Sequence, residues 1–97
     1  MNQIRYRAGY KYQLAETYVC HVPIYPSVEI RTEWLALSPS GRLEIAHWYC
    51  WDGPSGPTTD TAGAMRGSLV HDALYQLIRL GLLHESLRAT ADEEYRR

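Results

Sequence analysis

The hydrophobic period of this chain changes once, from two residues in the first half to about 3.6 in the second. Residues 28–37 and 42–50 alternate apolar with polar side chains, as half-buried strands do. Residues 63–80 repeat their apolar side chains at helical spacing instead. This order predicts an α+β fold, with a small antiparallel sheet of about three strands followed by two helices.

The boundaries of the predicted elements follow from turn and cap residues. The sheet is expected within 11–50, with 11–23 as one strand and 28–37 and 42–50 as a hairpin around the turn SPSG. In strand 28–37 one face would carry Val28, Ile30, Thr32, Trp34 and Ala36. The Gly/Pro-rich stretch 51–61 is predicted to be a loop. Helices are expected at about 63–80, ending at Gly81, and at 86–96, with Ser86 as N-cap, all within one domain, 1–97.

Bulk properties exclude several classes of protein. The 97 residues carry a formal charge of −1, and the basic cluster of Arg5, Arg7 and Lys11 is too small to indicate nucleic-acid binding. No segment has the length of a signal peptide core or of a membrane span. With only Cys20 and Cys50, a reducing compartment with free thiols is expected. We therefore predict a cytoplasmic protein.

The polar side of the first helix carries the candidate catalytic residues. His71 and Tyr75 border the apolar stripe of Leu and Val, whereas Ser68 and Arg79 are expected to be solvated. A partly buried histidine needs partners for its ring nitrogens, and Asp92 can provide one if the two helices pack as an antiparallel pair. A carboxylate on one nitrogen leaves the other free to act as a general base.

Asp72 cannot face the same way as its neighbour His71, because adjacent helical residues diverge by about 100°. It would point toward the preceding loop, where Asp52 and the backbone around Gly53 supply further oxygen donors. Carboxylates and carbonyls suit Ca²⁺ better than Zn²⁺. The alternative is structural: Asp52 and Asp60 cap turns and the start of the helix, and no cofactor is bound.

Two resemblances add to this interpretation. The pattern DGPSGPTTDT…HDALYQLIRLG…LR..AD, from Asp52 to Asp92, resembles a family of small phage and prophage proteins of unassigned function. The same stretch is similar, more distantly, to the bacterial secreted phospholipases A2, in which a calcium loop precedes a His-Asp-x-x-Tyr helix. That similarity implies His71 as the base, Asp92 and Tyr75 as its supporting residues, and Asp52, Gly53 and Asp72 as calcium ligands. Those enzymes attach the loop to the helix by a disulfide, and Ser68 stands at the position of the cysteine.

Two functions follow as expectations. The short chain, its near-zero charge and its eight Tyr and three Trp favour a non-enzymatic phage protein that binds a host or virion protein, such as an inhibitor of host defence or an assembly factor. In that case the polar residues are a buried network that fixes the loop to the helix. The alternative is a phospholipase A2-like hydrolase with His71 as general base and Ca²⁺ at Asp52 and Asp72.

Overall fold

A computed structural model describes residues 4–7, 12–53 and 62–96. The chain divides into two compact units, Met1–Cys50 and Trp51–Arg97. The strands lie in the first unit, except that the last one ends at Trp51, and the helices lie in the second, which confirms the α+β prediction. The prediction of one domain stays a prediction. Lys11, Asp60 and most of the predicted loop lie outside the described residues.

Within residues 4–7, 12–53 and 62–96, seven short strands make two antiparallel sheets where about three longer strands were expected. In chain order they are β1 (Tyr6–Arg7), β2 (Tyr12–Leu14), β3 (Tyr18–His21), β4 (Ile30–Arg31), β5 (Leu35–Leu37), β6 (Arg42–Ile45) and β7 (Cys50–Trp51). One sheet has the order β1-β2-β7 and the other β3-β6-β5-β4. The core of the first unit is formed by the most deeply buried of their side chains, Leu14, Tyr18, Leu35, Leu37, Leu43 and Ile45.

The predicted hairpin around residues 38–41 is confirmed, because β5 pairs with β6 in the register Leu35↔Ile45 and Leu37↔Leu43. Gly41 adopts a φ of +88° at this turn, as expected, and a Cβ there would collide with the carbonyl oxygen of Val22. The hairpin is therefore fixed by turn chemistry that the sequence displays.

A continuous strand over 28–37 was wrong, since β4 and β5 fold back on each other as a second hairpin. The Thr32 hydroxyl accepts hydrogen bonds from the backbone N–H groups of Trp34 and Leu35 at 3.2 and 3.0 Å, which closes a tight turn. The predicted face is broken as a result: Ile30 is buried, whereas Val28 is 69% exposed. A side chain that satisfies backbone donors locally has overridden the alternating pattern.

The helices of the second unit are α1 (Ala62–Arg79) and α2 (Arg88–Arg96), with a 3-10 turn at Glu85–Leu87 between them. The predicted apolar stripe of α1 is confirmed, since Leu69, Val70, Ala73, Leu74, Leu77 and Ile78 are all buried. Gly81 ends the helix at a φ of +77°, and the N–H groups of Gly81 and Leu82 bond to the carbonyls of Ile78 and Leu77. Ser86 is not the cap: the side chain of His84 accepts from the N–H of Ser86.

No helix among the described residues has the length and hydropathy needed to cross a bilayer. Cys20 is buried and Cys50 is exposed, and neither forms a disulfide.

Candidate active site

His71 on α1 and Asp92 on α2 are in direct contact. Nε2 of His71 lies 3.0 Å from Oδ1 of Asp92, and the Tyr75 hydroxyl donates to the same oxygen at 2.9 Å. An ionised carboxylate only accepts hydrogen bonds, so the proton of the neutral imidazole belongs on Nε2. The predicted contact of His71 with Asp92 is confirmed, and it leaves the lone pair of the ring on Nδ1.

The opposite side of the ring faces Asp72. Nδ1 of His71 is buried, has no hydrogen-bond partner among the described residues, and lies 3.5 Å from Oδ1 of Asp72. That distance is at the limit of a hydrogen bond, so the contact is weak. A basic nitrogen and a carboxylate oxygen thus face each other, an arrangement that a proton, a water molecule or a cation would stabilise.

Two tyrosines fix the plane of the imidazole. The Tyr75 ring stacks on it with centroids 4.3 Å apart, and the Tyr95 ring meets it edge-on at 5.2 Å. The His71 side chain remains 20% exposed, and that of Asp92 is 53% exposed. The ring is therefore held in one orientation with part of its surface exposed, whereas Nδ1 itself is buried.

The pKa of Asp72 is raised above its ordinary value, chiefly because burial disfavours the charged carboxylate. The neighbouring His71 ring and the backbone N–H of Asp52, which donates to the Asp72 carboxylate, oppose this, whereas the negative charge of Asp52 adds to it. Asp72 therefore points toward the start of the loop, as the helical geometry predicted. The carboxylates of Asp52 and Asp72 are therefore close enough for the charge of one to raise the pKa of the other.

The pKa of Tyr75 is also raised, first by its hydrogen bond to Asp92, then by burial and by the charge of Asp92, with Arg88 opposing. A raised phenol pKa keeps the hydroxyl protonated and donating throughout the physiological range. Tyr75 therefore acts as a fixed donor to Asp92.

The separation of α1 and α2 is set by residues that the sequence did not indicate. Gly67 packs against the backbone of Tyr95 so closely that a Cβ would overlap the Tyr95 carbonyl oxygen. Arg66 pairs with the buried Glu94 at 3.1 Å. In the sequence, only Gly67 could have indicated this contact, because a glycine inside a helical pattern often marks a close approach of two backbones.

Ser68 was expected to be solvated, and this was wrong. It is only 1% exposed, and its hydroxyl accepts a hydrogen bond from the indole Nε1–H of Trp51 at 3.0 Å. The indole supplies a buried partner that the position of Ser68 on the helix does not reveal. Arg79 is exposed, as predicted.

The residues near Asp72 fit a hard cation in part. Asp52 and Asp72 supply carboxylates, and the backbone of Gly53, where φ is +83°, would add a carbonyl oxygen. No group of three or more His, Cys, Asp or Glu side chains able to hold a metal occurs within the part of the chain that the structure describes. This donor set suits Ca²⁺, which accepts carbonyls, and does not suit Zn²⁺.

Comparison of the chain with protein-family models, with curated proteins and with solved structures gives no match.

Proposed function

We propose that this chain is a hydrolase of carboxylic esters, phospholipase A2-like in its chemistry, with His71 as the general base. The observation that carries the proposal is the pair of contacts on His71: Nε2 lies 3.0 Å from Oδ1 of Asp92, and Nδ1 faces Asp72 without a hydrogen-bond partner among the described residues. A structural histidine would ordinarily have both nitrogens satisfied. A general base needs one nitrogen oriented and the other available.

The proton transfers follow from this geometry. Nδ1 removes a proton from a water molecule as the water oxygen attacks the ester carbonyl carbon. Asp92 stabilises the imidazolium that forms, and Tyr75 holds the carboxylate in place by its hydrogen bond. When the bond from the carbonyl carbon to the ester oxygen breaks, Nδ1 returns the proton to the departing alcohol. The products are a carboxylic acid and an alcohol, and His71 is regenerated.

Asp52 and Asp72, with the backbone at Gly53, would hold Ca²⁺ in this scheme. A bound calcium ion supplies positive charge that stabilises the oxyanion formed on the ester. The raised pKa of Asp72 supports the assignment, because a cation would relieve the cost of keeping a partly buried carboxylate charged beside Asp52.

The test is release of fatty acid from phosphatidylglycerol and phosphatidylcholine vesicles in millimolar Ca²⁺. We expect His71→Gln to lower the rate by about 10²- to 10⁴-fold, the usual contribution of a general base. His21→Gln is the matched control, because His21 is exposed on β3. Hydrolysis at the same rate in wild type and His71→Gln would refute the proposal.

A second candidate is the non-enzymatic one, in which a phage protein binds a host or virion protein as a defence inhibitor or an assembly factor. The first unit favours it by exposing large apolar side chains, with Tyr25 at 68%, Val28 at 69%, Trp34 at 36% and Trp48 at 48%. Under this proposal the His71 network only stabilises the second unit.

Capture of a specific protein from host lysate by the immobilised chain distinguishes this candidate. Capture that is lost in Trp34→Ser/Trp48→Ser and kept in His71→Gln would favour binding over hydrolysis. Capture that is the same in both variants would count against a role of this surface.

A further inference from the structure

We infer that Trp51 and Ser68 are positioning residues of the candidate site, because their hydrogen bond holds the backbone of Asp52 against the Asp72 carboxylate. The inference rests on the proposed function only in treating Asp52 and Asp72 as parts of one site. The contact itself requires neither calcium nor substrate.

The hydrogen bond lies in the interior and its direction is fixed. Trp51 is 2% exposed and Ser68 is 1% exposed. The Ser68 hydroxyl donates its one proton to the carbonyl of Met65 at 3.1 Å, so it accepts the indole Nε1–H at 3.0 Å. Loss of this bond would leave a buried donor without that acceptor, which lowers the stability of the folded protein.

The spacing of the residues connects this bond to the site. Ser68 and Asp72 are four residues apart on α1, so their side chains lie on the same side of the helix, one turn apart. Trp51 and Asp52 are adjacent in the chain. The bond from Trp51 to Ser68 therefore places the next residue, Asp52, beside the following turn of α1. There its N–H donates to the Asp72 carboxylate.

The first two residues after Trp51 are at least partly open to solvent. Asp52 itself is exposed, and Gly53 follows at a φ of +83°, a conformation that ends the extended strand β7. The Asp72 carboxylate that receives the N–H is 35% exposed, so solvent competes for it. The buried indole is the anchor next to this exposed segment.

The experiment is amide hydrogen exchange of the full chain, followed by NMR without calcium or lipid. The variants Ser68→Ala and Trp51→Phe break the bond from opposite ends, and Ser86→Ala removes an exposed hydroxyl as the matched control. The exchange rate of the Asp52 amide is compared with that of Leu74, a buried residue in the middle of α1.

We expect the Asp52 amide to exchange about five- to tenfold faster in both bond-breaking variants, relative to Leu74, as loss of one hydrogen bond implies. The Ser86→Ala protein should match the wild type. If one of the two variants does not fold, the other decides. Unchanged protection of Asp52, or parallel acceleration of Asp52 and Leu74, would overturn the inference. Failure of lipid hydrolysis would leave it standing, because the measurement uses neither lipid nor metal.

Discussion

The carboxylate of Asp92 orients His71 because it receives two donors on one oxygen, Nε2 of the imidazole and the hydroxyl of Tyr75. The tyrosine contributes through the carboxylate and through its stacked ring, and it leaves Nδ1 untouched. Removing only the Tyr75 hydroxyl therefore tests how the His71 ring is oriented, while the proposed base, Nδ1, stays in place.

We expect Tyr75→Phe to lower the free energy of unfolding slightly, because one partly solvated hydrogen bond is lost. The ring contact with His71 is kept, so hydrolysis should fall by about tenfold or less, far less than in His71→Gln. Urea unfolding and the vesicle assay measure the two effects. Tyr25→Phe, at a tyrosine that is 68% exposed, is the control and should change neither.

The free energy of unfolding is expected to depend on pH through the ionisation of Asp72. Its pKa is raised in the folded protein, so the folded state holds the proton more tightly than the unfolded chain does. This contribution to stability is fully present below the ordinary aspartate pKa of about 3.9 and is lost as the pH rises through the raised value.

Without calcium, the wild type should therefore lose stability relative to Asp72→Asn as the pH rises above the ordinary aspartate pKa of about 3.9. Other carboxylates titrate in both proteins and largely cancel in the difference. Denaturant unfolding at a series of pH values measures it. A difference that is flat, or that moves in favour of the wild type as pH rises, would show that Asp72 carries no burial cost.

For individual residues, the sequence predicted which side chains contact His71, but it did not predict that Ser68 is buried. His71, Tyr75 and Asp92 came together because helical spacing fixes which side chains share a face. Helical spacing places Ser68 on the same polar face, yet it is buried and bonds to Trp51, a residue seventeen positions away. Burial by a distant residue leaves no trace in local periodicity.

Among the elements, α1 and α2 determine the site because each supplies one half of the His71–Asp92 pair. Gly67 sets their distance, and Arg66 and Glu94 form an ion pair between them beside it. The pair is largely buried, so removing one partner alone would leave an uncompensated charge. The backbone contact at Gly67 is the simpler feature to test.

Gly67→Ala should destabilise the protein by about 1–3 kcal/mol, the usual cost of overpacking, because the new Cβ meets the Tyr95 carbonyl. Gly63→Ala is a matched control on the same helix, since nothing lies within 4 Å of its Cβ position. It should stabilise by up to about 1 kcal/mol through helix propensity. Thermal unfolding of both variants measures this. Equal effects of the two substitutions would contradict the close approach of the helices.

The strands show why element boundaries could not be predicted as well as element type. Alternation located strand-forming sequence in the right half of the chain, but Thr32 turns the chain by accepting from two backbone donors. A second break lies near Trp48, which has a φ of +81° that non-glycine residues seldom adopt. Such local bonds and conformations compete with strand pairing and are invisible to a hydrophobic pattern.

For the whole molecule, calcium binding would appear as added stability. A ligand that binds only the native state stabilises it by about 2.7 kcal/mol at a hundredfold excess over its dissociation constant. For a domain of this size that is an increase in Tm of several degrees.

We expect that increase for the wild type on changing from EDTA to excess CaCl₂, and not for Asp72→Asn. Differential scanning calorimetry measures it, and MgCl₂ at the same ionic strength is the control for screening. Equal shifts with both salts, or the same shift in the variant, would place any bound calcium away from Asp72.

In the proposed site, Nδ1 of His71 is an unprotonated base while Nε2 donates to Asp92. The most direct measurement is the tautomeric state of His71 from ¹⁵N NMR of the imidazole at neutral pH, with and without calcium. It requires no choice of substrate. We expect the tautomer with the proton on Nε2 and the lone pair on Nδ1 in both conditions. A proton on Nδ1, directed at Asp72, would leave no base on that side of the ring and would contradict the proposed hydrolytic role.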